Sequence, residues 1–191
     1  LAESAQDLQR VADSVPGAST VQALDGPGGG QSVRMTDPDG YQFELVHGRS
    51  EPPALPVRDP LVINSGVGHK RLGRFQRPEP GPAHVRRIGH LILRVRDYET
   101  SLAFYRQFGF LVSDATFDPD LPERTLVGFL KCDRGADFTD HHSLGLGVRE
   151  PVAVDHTAFE CIDIDDVVLG GRHLEQLGYT RSWGVGRHIL G

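Results

Sequence analysis

Over residues 3–15 the apolar side chains Leu8, Val11, Ala12 and Val15 recur at the three- and four-residue spacing that lines one face of a helix. The period then changes. A strand is followed by Gly28-Gly29-Gly30, which breaks the chain before a second strand over residues 32–35, and Asp37-Pro38-Asp39-Gly40 has the composition of a tight turn. After that turn Tyr41, Phe43, Leu45 and His47 alternate with Gln42, Glu44 and Val46, the two-residue period of a strand. From residue 49 to residue 87 no period survives. Pro52, Pro53, Pro56, Pro60, Pro78, Pro80 and Pro82 interrupt regular structure, so this stretch is expected to be a connection with one short strand or helix at most.

Patterning resumes at Ile88. Residues 88–95 predict a strand, and Asp97 caps a helix reaching Phe108, with Leu102, Ala103, Tyr105 and Phe108 toward the core and Gly109 as its stop. Residues 110–113, 125–132 and 143–148 predict strands. The order then restarts, with a strand over 154–161, a helix from the cap Asp163 to about Leu177, a stop at Gly178, a strand over 179–183 and the start of another at Ile189. This is βαβββ followed by βαβ. Repeated units of that kind with antiparallel character predict an α+β fold whose sheets curve around a central site. The chain divides on this reading into 1–48, a linker over 49–87, and 88–191. It opens without Met, directly on a helix, and stops after an apolar pair, so both ends read as interior to a longer protein.

With 191 residues, 38% of them hydrophobic and 24% charged, the chain can bury the core of one large domain or two small ones. A formal net charge of −6 does not suit a surface for phosphate backbones, which need clustered Lys and Arg. The clusters present, His69-Lys70-Arg71-Leu72-Gly73-Arg74 and Arg86-Arg87, read as solvated faces of the linker. No nucleic acid is therefore expected as a partner. Cys132 and Cys161 are not spaced as a CxxC pair, which predicts reduced thiols and a cytoplasmic location. No apolar run of about 18 residues is present, so no membrane partner is expected either. The glycine run at 28–30 is not a phosphate loop, because no Gly-Lys-Ser/Thr follows it and no helix opens after it.

Two histidines occupy the same place in the two repeated strands, His90 in Ile88-Gly89-His90-Leu91-Ile92 and His156 in Val154-Asp155-His156-Thr157-Ala158. Either alone reads more readily as a structural histidine. Together they are a candidate metal site, because repeats packed side by side bring equivalent positions together and neutral imidazole suits Fe, Zn, Cu or Ni. A carboxylate should complete the site. Glu160 lies four residues past His156, about 13 Å along a strand, too far to share an ion with it. Glu44 reads as a strand-end carboxylate, and the remaining ligand is expected beyond Gly191. His141-His142 puts one imidazole on each side of the chain. His141 is either an acid or base near neutral pH or half of an exposed turn pair. In Gly186-Arg187-His188 the glycine permits close backbone approach, and His188 is either a site group or an incidental histidine of a hairpin. His47, His69, His84 and His173 make weaker candidates.

The ordered set of these segments resembles the type I extradiol ring-cleavage dioxygenases of the vicinal oxygen chelate superfamily. The resemblance runs from Asp37-Pro38-Asp39-Gly40-Tyr41-Gln42-Phe43-Glu44 through Gly89-His90, Asp97 and Phe104-Tyr105. It continues through Phe129-Leu130-Lys131-Cys132, Asp140-His141-His142-Ser143-Leu144 and Asp155-His156-Thr157-Ala158-Phe159-Glu160 to Gly186-Arg187-His188. The Gly-His opening is common to the superfamily, whereas His-His-Ser-Leu between the two His strands and Gly-Arg-His after them are more specific to the dioxygenases. The resemblance implies repeated βαβββ modules, incomplete at both ends, with 1–48 as the end of a first domain and 88–191 as a catalytic domain. It implies His90 and His156 as ligands of Fe(II), with Mn(II) as the other candidate, and a Glu beyond Gly191 as the third ligand. His141 would be the acid/base beside bound oxygen and His188 a donor to a catecholate oxygen. Trp183 is a candidate wall of the ring pocket, with core packing as its other reading. The implied partners are an aromatic diol and O2, and the implied assembly a homo-oligomer. Two other readings use the same scaffold: a metal-dependent glyoxalase-like isomerase or thiol transferase, which does not need His141 and His188, and a metal-free small-molecule-binding module, which tolerates loss of His90 and His156.

Overall fold

The computed structural model describes residues 1–187. In chain order they form α1 (Ala5–Ser14), β1 (Gln22–Ala23), β2 (Gln31–Thr36), β3 (Gln42–His47), β4 (Val85–Val95), α2 (Tyr98–Arg106), β5 (Phe110–Phe117), β6 (Thr125–Cys132), β7 (Leu144–Val148), β8 (Ala153–Cys161) and α3 (Ile164–Gln176). This is the α+β architecture the repeats predict. The chain forms two compact units and visits each twice: Leu1–Leu55 with Ile92–Asp155, and Pro56–Leu91 with the residues from His156 onward.

In the first unit, β1, β2 and β3 make an antiparallel sheet in that order, with Val33 opposite Leu45 and Met35 opposite Phe43. The alternation along β2 buries Val33 and Met35 and leaves Arg34 outside, where it pairs with Glu44 at 2.7 Å. The helix α1 starts in a reciprocal cap, in which Ser4 Oγ accepts from the Asp7 backbone N–H and the Asp7 carboxylate accepts from the Ser4 N–H. Its apolar face, Leu8, Val11 and Val15, closes on Val33 and Met35, as the spacing predicts.

The second sheet follows the order β5-β6-β7-β4-β8, with the β4 residues from Ile92 onward and the first residues of β8 contributed to this unit. Leu93, Val95, Leu130, Leu144 and Leu146 form its interior. Across it lies α2, capped by Asp97, whose carboxylate accepts from the Thr100 N–H at 2.8 Å. Tyr98, Ser101, Leu102 and Tyr105 are its buried residues. Ala103, expected on that face, is exposed, and Phe104 takes the inward place with Phe108 against Phe43. The reason is that α2 is packed on two sides, so its buried arc is wider than a single stripe. Gly128 in β6 makes this packing possible, because a Cβ there would collide with the Tyr98 ring.

In the second unit the proline-rich stretch 56–84 forms no helix or named strand, only turns and the bridge Ser65–Gly68. The next strand begins at Val85, three residues before the patterning suggests, so Arg86-Arg87 belongs to β4 rather than to a linker face. Asp163 caps α3 by accepting from the Asp166 N–H, and Gly178 follows the helix at φ 92°. Residues 179–183 form no strand, and Tyr179 and Trp183 are exposed there. A strand exists by its backbone ladder, and among the described residues neither sheet includes this segment. The expected start of a strand at Ile189 lies outside the described residues. No described helix is long and apolar enough to cross a membrane.

Candidate metal centre

In the second unit β4 and β8 meet through side chains that run in opposite senses along them. Arg86 and Arg87 reach Glu160, Gly89 lies beside Ala158, and His90 reaches His156. The two imidazoles converge with their Nε2 atoms 3.3 Å apart, ring centroids 5.4 Å apart and planes inclined at 75°. Nitrogens bound at about 2.1 Å to neighbouring positions of one ion lie about 3.0–3.4 Å apart, so the pair fits two ligands of a single divalent metal. Among the described residues no group of three or more His, Cys, Asp or Glu side chains is placed to hold an ion. Glu160 is occupied by Arg86 at 3.2 Å and Arg87 at 2.6 Å. Glu44, in the first unit, accepts from Ser32 Oγ and from the Arg34 guanidinium, which holds its carboxyl below the ordinary range.

His141 lies in the first unit, in the loop before β7. It is exposed, its Nδ1 is 3.1 Å from that of His142, and both rings stand near Phe129. His188 lies outside the described residues.

A polar cluster at the start of α3 escaped the sequence reading. Arg58, from the proline-rich stretch, makes two parallel bonds to Asp163 at 2.7 and 2.8 Å. Asp166, which is buried, accepts from the His84 backbone N–H at 2.9 Å and lies 2.7 Å from His84 Nδ1. The Arg58 guanidinium holds the Asp163 carboxyl far below the ordinary range. Burial pushes Asp166 up, but the bonds from His84 and from the Ile162 N–H outweigh it and leave that carboxyl lowered. Ala83 seals the contact: a Cβ on Gly170 of α3 would lie 2.6 Å from the Ala83 Cβ. Asp163 was legible as a cap, but nothing local marks Arg58 as its partner or His84 as the partner of Asp166.

The Glyoxalase/Bleomycin resistance protein/Dioxygenase superfamily model matches residues 87–191, more than half of the chain, and includes both converging histidines. The chain belongs to this superfamily. Among similar members, metapyrocatechase 2 of Cupriavidus necator is 29% identical over 160 residues, covering 83% of this chain and 46% of the relative. The iron-dependent extradiol dioxygenase of Rhodococcus jostii (strain RHA1) is 29% identical over 201 residues, covering 97% of this chain and 60% of the relative. The chain thus spans about half the length of the relatives it matches. The fold is shared with the Mn(II)-bound glyoxalase from Novosphingobium aromaticivorans, at TM-score 0.67 and 24% identity over 97% of this chain and 52% of that one. It is also shared with an extradiol ring-cleaving dioxygenase from B. fuscum, at TM-score 0.64 and 15% identity over 92% of this chain and 43% of that one.

Proposed function

We propose that this superfamily member contributes the metal centre of an Fe(II)-dependent extradiol dioxygenase, which opens the ring of a catechol-type diol with O2. The observation that carries the reading is the convergence of His90 and His156 at 3.3 Å in a chain whose relatives include ring-cleaving dioxygenases. The imidazoles would hold two neighbouring positions of the ion, and the third, a Glu, is expected beyond Gly191. Bound there with positions to spare, Fe(II) supplies Lewis acidity toward adjacent diol oxygens and an electron path to O2. The protein's part is to orient the diol and to move protons. His141 would serve as the acid/base, and His188 would donate to an oxygen of the diol.

Anaerobic loading of the full-length protein with Fe(II), followed by oxygen uptake with a panel of catechols, tests this. The expected result is one O2 consumed per diol and a yellow ring-opened product, with both metal and uptake lost in His156→Ala. Bound metal without uptake would shift the reading to a metal-dependent isomerase or transferase, which the same histidine pair would serve. Iron content unchanged in His156→Ala would remove the metal centre from the proposal.

A further inference from the structure

We propose that Glu160 is a positioning residue for this centre. Gripped by Arg86 and Arg87, it fixes the register of β8 on β4 in which His90 and His156 converge. The inference rests on reading those histidines as metal ligands. Sheets ordinarily fix register by burying one face, because a slip of one residue turns every side chain over. The facing parts of β4 and β8 have little burial to use. Residues 85–88 and 154–157 are exposed, Ile88 by 64%. Polar contacts are left to set the alignment, and Glu160 makes two. Its Oε1 accepts from Arg86 Nη1 at 3.2 Å and its Oε2 from Arg87 Nε at 2.6 Å.

Arg86 and Arg87 are consecutive, so on a strand their side chains leave on opposite faces. A carboxylate that engages both straddles the strand and resists displacement either way. A slip of one residue moves Glu160 by about 3.3 Å, enough to break both bonds, and turns one imidazole of the pair away from the other. Between the clamp and the histidines, Gly89 lies beside the Ala158 carbonyl, in keeping with the same alignment. The ion pairs are partly exposed, with Arg86 at 56%, Arg87 at 49% and Glu160 at 35% side-chain exposure. Such pairs add little to global stability. Their effect belongs in the geometry of the metal site.

The test is Co(II) titration of the full-length protein, which carries the Glu expected beyond Gly191, read by visible absorption, alongside thermal unfolding. Glu160→Gln keeps the side-chain shape and removes the charge. It should raise the Co(II) dissociation constant about tenfold, weaken the visible bands and leave the melting temperature nearly unchanged. Reversing the tighter pair, E160R with R87E, should recover most of the lost affinity. Wild-type Co(II) affinity in Glu160→Gln, with binding lost in His156→Ala, overturns the role of Glu160 and leaves the metal centre standing. Absence of Co(II) binding in the wild-type protein overturns both. If Glu160→Gln unfolds, the reversed pair decides, and a folded double variant that still binds Co(II) poorly overturns the proposal.

Discussion

Asp37 shows how much a single residue can hold that composition does not announce. From the sequence, Asp37-Pro38-Asp39-Gly40 is a turn, and the structure has one there. Yet Asp37 is buried, with Oδ1 accepting from the Asp39 and Tyr41 N–H groups and Oδ2 from the Tyr105 hydroxyl at 2.8 Å. Asp39 in turn accepts from Ser101 Oγ and from the Arg96 backbone and guanidinium. Burial, reinforced by Asp37, pushes the Tyr105 hydroxyl far above its ordinary value, so it remains a donor at any working pH. Tyr105→Phe keeps the ring and removes the donor. A buried carboxylate left one bond short should cost about 1–3 kcal/mol, read as a lower urea midpoint with unchanged slope. An unchanged midpoint would mean that water replaces the hydroxyl. The turn was legible because its signal is local. Its partners were not, because Tyr105 lies 68 residues away. The two strand histidines stood out for the opposite reason: a repeat makes a distant pairing visible in sequence.

Elements with their own caps were the easiest to read. Asp97 and Asp163 begin α2 and α3 where a short acidic side chain precedes an apolar period, and β6 spans the residues its pattern marks. Errors came where neighbours decide. β5 runs to Phe117, beyond the four residues its pattern supports, because β6 pairs with it through two register shifts. The segment 179–183 has a strand's composition but joins no sheet among the described residues. On α2 the single-stripe expectation misplaced Ala103 and overlooked Phe104, since sequence periodicity does not say that a helix is covered on two sides. Gly128 is where this packing is most exposed to change. Gly128→Ala would push a methyl into the Tyr98 ring and force α2 off β6, at about 1–3 kcal/mol. The cost should fall when Tyr98→Leu is added, since the shorter side chain makes room. A Gly128→Ala protein of wild-type stability would show that α2 can shift freely.

Over the whole chain the path leaves each compact unit and returns to it, and in the second unit two stretches far apart in sequence must be joined. Apolar patterning gave no hint of how, because residues 56–84 lack a period to read. Beside the packing of β4 on β8, the join is made by polar side chains: Arg58 on Asp163, and His84 on Asp166. Arg58 and Asp163 are 25% and 15% exposed, so their two parallel bonds are partly shielded from solvent. The arrangement makes a signed prediction for pH. The folded-state pKa of Asp163 lies below its unfolded value of about 3.9, with the Arg58 bonds as the main cause. A depressed carboxyl contributes stability that is complete above the unfolded pKa and is lost as pH falls through the folded one. Asp163→Asn keeps a helix-capping oxygen and removes the charge. It should cost about 1–3 kcal/mol at pH 7, and the difference from wild type should shrink as pH drops below about 4. Urea unfolding at pH 7, 5 and 3 measures this. A difference between wild type and variant that stays constant down to pH 3 would assign the contribution of Asp163 to the cap alone and remove Arg58 from it.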